Sequence, residues 1–317
     1  MKTFQVTKPY GFRLGAAADF YAGFTPGSGM AAASLAHLTL AFSLDGTFEA
    51  VAVALREGGA ALVVDYAGTD DEAAVRKQVA RILGLDSDGE AWLAVGRRDP
   101  VVGRLQRQFP GFFTAAKASP YDAATWGMIV PRMSIAQAAK IKIAMARELG
   151  TSVTLGGKTY DVFPAPRVLR TLERFPGLSD EKVTRLRGVA EAALEGRLDA
   201  ERLRRMPEEA ALADLQRLRG VGPWSASHIY FRGAAPPDSL PTVEPRVLHG
   251  LAHAAGIEVP SEATFYRLAE AWRPFRMWVC ILLSRHLSSA GGWHAPGLAK
   301  ERSRAGRTLA RRTVARA

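Results

Sequence analysis

In Leu218-Arg219-Gly220-Val221-Gly222-Pro223-Trp224-Ser225, two glycines stand one residue apart where one helical pattern stops and another starts. Glycine tolerates positive φ and leaves neighbouring N–H groups uncovered. At a helix start those donors and the dipole favour an anionic oxygen, a phosphate above all. Leu218, Gly220, Val221, Gly222 and Ser225 thus form a turn able to hold a nucleic-acid backbone without reading its bases; alone, the pattern equally fits an ordinary αα-turn with a glycine C-cap. Trp224 and His228 fall four residues apart, on one face of the following helix. Glu244 stands before Pro245, where an acid suits a helix's first turn, with Thr242 as cap and Pro245 fixing the first turn. Asp238 is a second carboxylate nearby in sequence. The single cysteine, Cys280, lies in the apolar run Met277–Leu283 and reads as a small buried hydrophobe. No metal-ligand spacing appears among the six histidines, the cysteine and the acids.

The elements that must position these residues fall into two styles. The first hundred or so residues mix α and β. Ala36–Ser43 alternates apolar and polar side chains ahead of Asp45-Gly46, Ala61–Tyr66 is a second strand candidate, and Thr69–Leu83 opens with acids and ends with Lys77 and Arg81 before Gly84, as a helix dipole prefers. From about Pro120 strand signals nearly vanish and helical patterns follow one another: 122–130, 134–149, 165–175, 180–195, 199–205, 207–218, 225–232, 245–255, 261–272 and 274–289. This predicts a mainly α body preceded by a smaller α+β domain, the boundaries being 1–108, 109–298 and a basic, disordered tail at 299–317.

The chain has 317 residues and a net charge of +11. Residues 300–317 hold seven basic side chains against Glu301, which is +6 of that total. Such a balance favours polyanionic partners, nucleic acid first; the tail reads equally as a solubilising extension. No run of eighteen apolar residues and no secretory signal is seen, so an intracellular, cytoplasmic and nucleoid-associated protein is expected, with no membrane contact.

The glycine turn, its continuation Trp224–Gly233, the stretch Leu240-Pro241-Thr242-Val243-Glu244-Pro245 and the closing Ala269-Glu270-Ala271-Trp272-Arg273-Pro274-Phe275-Arg276 together resemble the helix-hairpin-helix DNA glycosylases, 3-methyladenine DNA glycosylase II in particular. Upstream, Phe109-Pro110-Gly111 and Pro131-Arg132-Met133-Ser134 fall where that family enters its catalytic domain and carries its probe loop. The resemblance covers roughly residues 105–295, and it implies a TBP-like N-terminal domain. It implies an enzyme that flips a damaged base out of duplex DNA and hydrolyses its bond to the sugar. The family's catalytic aspartate position is occupied here by Glu244, whose carboxylate would stabilise the cationic sugar. Trp224 stands where bifunctional members carry a nucleophilic lysine, so the resemblance implies a monofunctional enzyme that leaves an abasic site.

Trp224, His228 and Ser284 fall at base-pocket positions, Ser284 replacing a tryptophan and His228 a tyrosine; Trp272 and Trp278 read as core. Pro131, Arg132 and Met133 make the wedge loop, with Arg132 or Met133 filling the gap left by the flipped base. Alkylated purines are the default substrate, and an uncharged base is the variation that a histidine in the pocket suggests. No cofactor is expected beyond a monovalent cation on the hairpin carbonyls, and the expected state is a monomer on damaged double-stranded DNA. A catalytically silent lesion sensor is the competing reading, and a helical interaction module without a DNA role is a third.

Overall fold

The computed structural model describes residues 1–23, the backbone of 31–34, and residues 37–241 and 244–291. Thr242, expected to cap a helix, and the basic stretch 299–317 lie outside the described residues.

Five antiparallel strands, β1 (Lys2–Thr7), β2 (Ala31–Ser34), β3 (His37–Ser43), β4 (Ala50–Gly58) and β5 (Ala61–Ala67), form one sheet in the order β1-β5-β4-β3-β2. Alternation sets its faces: Leu38, Leu40 and Phe42 on β3 and Val51, Val53 and Leu55 on β4 are buried. α1 (Leu14–Gly23) lies between β1 and β2, and α2 (Glu72–Leu83) follows β5. Asp71 caps α2 by accepting from Ala74 N–H, and Gly84, with φ +72°, ends it in the left-handed conformation that glycine takes without a Cβ penalty.

The helical part runs through α3 (Gly89–Arg98), α4 (Pro100–Gln108), α5 (Pro120–Ile129), α6 (Ile135–Leu149), α7 (Pro166–Leu169), α8 (Asp180–Leu194), α9 (Ala200–Arg205), α10 (Glu208–Gln216), α11 (Pro223–His228), α12 (Pro245–Ala255), α13 (Glu262–Ala269) and α14 (Arg276–Ser289). The helix expected at 225–232 breaks its geometry at His228: residues Ile229–Ala234 form a π-helical segment. The expectation that strands nearly vanish after Pro120 is corrected by β6 (Thr151–Leu155) and β7 (Lys158–Val162), a hairpin turning on Gly156 and Gly157 with φ of +57° and +77°. Two positive-φ glycines match a two-residue turn whose twist suits the strands. The hairpin covers the outer face of the N-terminal sheet, where Val153, Leu155 and Val162 pack on Ala41 and Ala52.

α5 is buried on every side, and Trp272 and Trp278 are core residues as expected, at 1% and 2% exposure. α12 lies close on α14 because Gly250 lacks a side chain: a Cβ there would stand 2.6 Å from the Leu283 carbonyl oxygen. One apolar cluster extends from Phe4 to Leu283, so the sheet part and the helical part share a core.

The extended segment 114–119 runs between them with polar bonds to both sides. Ala116 N–H donates to Ile82 and Lys117 N–H to Arg232, at 3.0 and 2.7 Å. Tyr21 hydroxyl donates to the Ala116 carbonyl at 2.7 Å, and Gln78 and Arg81 donate to that of Ala118 at 3.0 and 2.8 Å. Among the described residues no helix is long and apolar enough to cross a membrane.

Candidate nucleic-acid interface and base pocket

The glycine turn forms where α10 ends. Leu218 and Val221 are buried and anchor it, and Val221 N–H donates to Leu218 at 3.0 Å. Gly220 takes φ +82°, and a Cβ there would meet Arg185 Cδ at 2.6 Å. Gly222 is the N-cap of α11, with Pro223 in its first turn and no side chain capping it. Nothing lies within 4 Å of a Cβ built on Gly222, so the backbone is open to approach. Ser225 is half-buried one turn into the helix.

The wedge loop faces the same neighbourhood. Arg132 is exposed at its tip with φ +60°, while Pro131 and Met133 are half-buried and Met133 packs back against the core. Of the two expected wedge residues, Arg132 is therefore the one that projects. Beside it Ile135 is 50% exposed, an apolar tip that the sequence reading had not singled out. Glu181, at the start of α8, ties loop and turn together. Its carboxyl is held below its ordinary range first by the 2.6 Å bond from Arg185, and further by Arg219 and Arg132. Lys182 donates to the Ile129 carbonyl at 2.6 Å; its pKa is lowered by partial burial and then by Arg132 and Arg185. Three arginines from three segments thus act on one acid, a surface suited to phosphate oxygens.

Trp224 and His228 stack on α11 with centroids 5.3 Å apart and planes 10° from parallel. Trp224 keeps 45% of its surface exposed. The His228 Nε2 atom is buried with no hydrogen-bond partner among the described residues. Behind the ring lies a buried ionic cluster: the Asp122 carboxylate bonds Lys142 and stands 3.8 Å from Lys117 Nζ, which lies 4.9 Å over the Trp126 ring.

Burial first, then the Lys117 and Arg232 charges, drives the His228 pKa down to about 3, so the ring is neutral at ordinary pH. Burial lowers Lys117 to about 7. For Asp122 burial alone would raise the pKa, but Lys142 and Lys117 outweigh it and the carboxyl titrates below its ordinary value. Lys117, Asp122 and Lys142 were absent from the expected site. A signal existed in Lys142, which falls on the same stripe of α6 as the buried Ala138 and Met145.

Glu244 is half-buried and is the N-cap of α12, accepting from Arg246 N–H at 3.3 Å. It lines a cleft of about 60 Å³ together with Pro241, Pro245, Leu248, Glu262 and Tyr266. That is well short of the ~150 Å³ in which an apolar cavity holds benzene. Trp224, His228 and Ser284 do not line this cleft. The link between Glu244 and His228 is Arg232, which donates to the Ala115 carbonyl at 2.8 Å. Burial lowers the Arg232 pKa while Tyr21 and Glu244 oppose it, and the same guanidinium lowers His228.

Ser284 is half-buried on α14, its carbonyl accepting from Ser288. Asp238 is committed elsewhere: it accepts from Arg273 and Arg276 at 2.7 and 2.8 Å and pins the loop after the π segment.

No protein-family model matches the chain. The DNA-3-methyladenine glycosylase of Bacillus subtilis (strain 168) is 24% identical over 218 residues, 67% of this chain and 71% of that protein. Among solved structures, the 3-methyladenine DNA glycosylase from Archaeoglobus fulgidus gives a TM-score of 0.73 at 19% identity, over 91% of this chain and 98% of that one. The 8-oxoguanine glycosylase/lyase of Clostridium acetobutylicum, in complex with double-stranded DNA containing cytosine opposite 8-oxoguanine, gives 0.56 at 14% identity, over 82% and 98%. The fold is that of the helix-hairpin-helix DNA glycosylases, mainly α with an antiparallel sheet in its N-terminal part, as the sequence resemblance implied.

Proposed function

We propose that the protein is a DNA glycosylase of base excision repair: it binds damaged duplex DNA, extrudes one nucleotide and hydrolyses its N-glycosidic bond. The observation that carries this reading is α11, which bears the open glycine turn at its start and the Trp224–His228 stack along its length. Backbone grip and base recognition are then held a few residues apart on one rigid element.

Arg132 enters the duplex where the nucleotide has left, and Arg185 and Arg219 neutralise nearby phosphates. Glu244 holds negative charge against the sugar cation. With tryptophan at 224 there is no amine on α11 to form a Schiff base, and the product is an abasic site with the strand intact. Alkylated purines are the reference lesion; the Bacillus subtilis relative is named for one of them, 3-methyladenine. The protein acts as a monomer, without a metal or organic cofactor; a monovalent cation on the hairpin carbonyls is part of the DNA-bound state.

The test is excision from duplexes carrying one alkylated, deaminated or oxidised base, with strand breakage read before and after alkali. Base release with alkali-dependent breakage is expected; breakage without alkali overturns the monofunctional assignment. Absence of release from every lesion favours a second reading, a silent lesion-binding protein. That reading has one observation of its own: the Glu244 carboxylate is engaged as a helix cap.

A further inference from the structure

The first two turns of α8 reach both the glycine turn and the approach to the wedge loop. Lys182 is committed to the carbonyl of Ile129, the last residue of α5 before that loop. Arg185, one turn on, packs under the glycine turn: a Cβ built on Gly220 would stand 2.6 Å from its Cδ and 2.7 Å from its Nε. That Nε is buried and has no hydrogen-bond partner among the described residues, so the guanidinium meets anions through its outer nitrogens. One of these, Nη2, already donates to the Glu181 carboxylate at 2.6 Å. Glu181 is exposed and Arg185 half-buried. Arg219 of the turn and Arg132 of the wedge loop act on the same carboxylate.

The helix itself does not need this acid. Asp180 already puts negative charge at the start of α8, and the Ser179 hydroxyl caps it, accepting from Lys182 N–H at 3.4 Å. An exposed i, i+4 ion pair adds little stability. What the carboxylate does is fill the place beside Arg185 that a phosphate oxygen would take. A phosphate arriving at the turn displaces it from Nη2 and then stands near a charge of its own sign.

We propose that Glu181 is a built-in competitor of the DNA backbone: it occupies Arg185 in the free protein, yields that donor to a duplex phosphate, and by repelling the phosphate keeps the grip of the glycine turn loose. The role assigned to Glu181 rests on the duplex binding in the glycosylase reading and not on its chemistry. A loose grip suits a protein that samples undamaged DNA, because sequence-independent phosphate contacts are what hold it at the wrong sites. The exchange leaves a signature in salt. Arg185 trades one anion for another, whereas with a neutral amide at 181 the same contact adds about one ion to the slope of binding against salt.

The test is binding of the full chain to an undamaged duplex between about 50 and 200 mM salt. Glu181→Gln is expected to tighten binding about fivefold or more and to steepen the salt slope by about one ion. Glu191→Gln makes the same change of net charge at an exposed position of α8, roughly 15 Å further along and beyond the ~8 Å Debye length. It should leave affinity within about twofold. In an Arg185→Met background, Glu181→Gln should gain less than about threefold; if Arg185→Met does not fold, the two glutamine variants decide the matter alone. Unchanged or weaker binding by Glu181→Gln, equal tightening by both glutamines, or an equal gain with and without Arg185 overturns the inference and spares the glycosylase. A wild-type protein without salt-dependent duplex binding overturns both.

Discussion

At position 244 the carboxylate caps α12, and the proposed reaction asks the same group to face a sugar cation. Glutamine separates them, because its amide oxygen still accepts from Arg246 N–H but carries no charge. Glu244→Gln is therefore expected to lower single-turnover excision by about 10²-fold or more while duplex affinity stays within about twofold. Unchanged excision would make the side chain a cap and nothing else. His228 makes a prediction in solution without DNA. Its folded pKa of about 3 lies below the ordinary 6.5, so as pH falls the unfolded chain takes up this proton first. The favourable neutral burial is complete above pH 6.5 and is lost between 6.5 and 3, at a rate approaching ~1.4 kcal/mol per pH unit. Urea melts at pH 7, 6 and 5 should show that slope, and His228→Phe should remove up to one proton's share; an identical slope in the variant would contradict the burial.

In the proposed function two short connections, the glycine turn and the wedge loop, govern how the helices meet DNA. Arg132 sits in the left-handed region, which costs a residue with a Cβ about 1–2 kcal/mol and glycine far less. Arg132→Ala and Arg132→Gly should both reduce the salt slope of duplex binding by about one ion. Arg132→Gly should also melt later than Arg132→Ala, by about 1 kcal/mol; equal melting would mean that the loop relaxes without its arginine. The turn was legible in the sequence because Leu218, Gly220, Val221 and Gly222 are adjacent and their job is local. The β6–β7 hairpin was missed although Gly156-Gly157 between β-branched alternations is a turn signal, since the surrounding helical periodicity dominated the reading. The ionic cluster was out of reach for another reason. Lys117, Asp122 and Lys142 come from an extended segment and two helices, and only packing brings them to His228. Glu244 was named from the family resemblance and its helix start from Pro245, but the narrowness of its cleft depends on Glu262 and Tyr266 of α13, which no local pattern connects to it.

Across the whole molecule, the joint between sheet and helices depends on few polar groups. Arg81 bonds Asp45, the Ala118 carbonyl and the Gly233 carbonyl at once, and is buried. Arg81→Met should cost about 3 kcal/mol in chemical denaturation, because Asp45 and two carbonyls lose their donor in a low-dielectric place; a loss under ~1 kcal/mol would mean that water reaches the joint. The extended segment 114–119 gives this joint a meaning for anyone wishing to shorten the protein. A chain started after residue 108 would still encode the glycine turn and every helix from α5 onward. It would lack Tyr21, Gln78 and Arg81, and the carbonyls of 116 and 118 would have lost what holds them. Lys117 sits between those two carbonyls. A trimmed version would lose part of the shared apolar core together with these bonds, and Lys117 would lose its seat beside Asp122 through a deletion that touches neither residue.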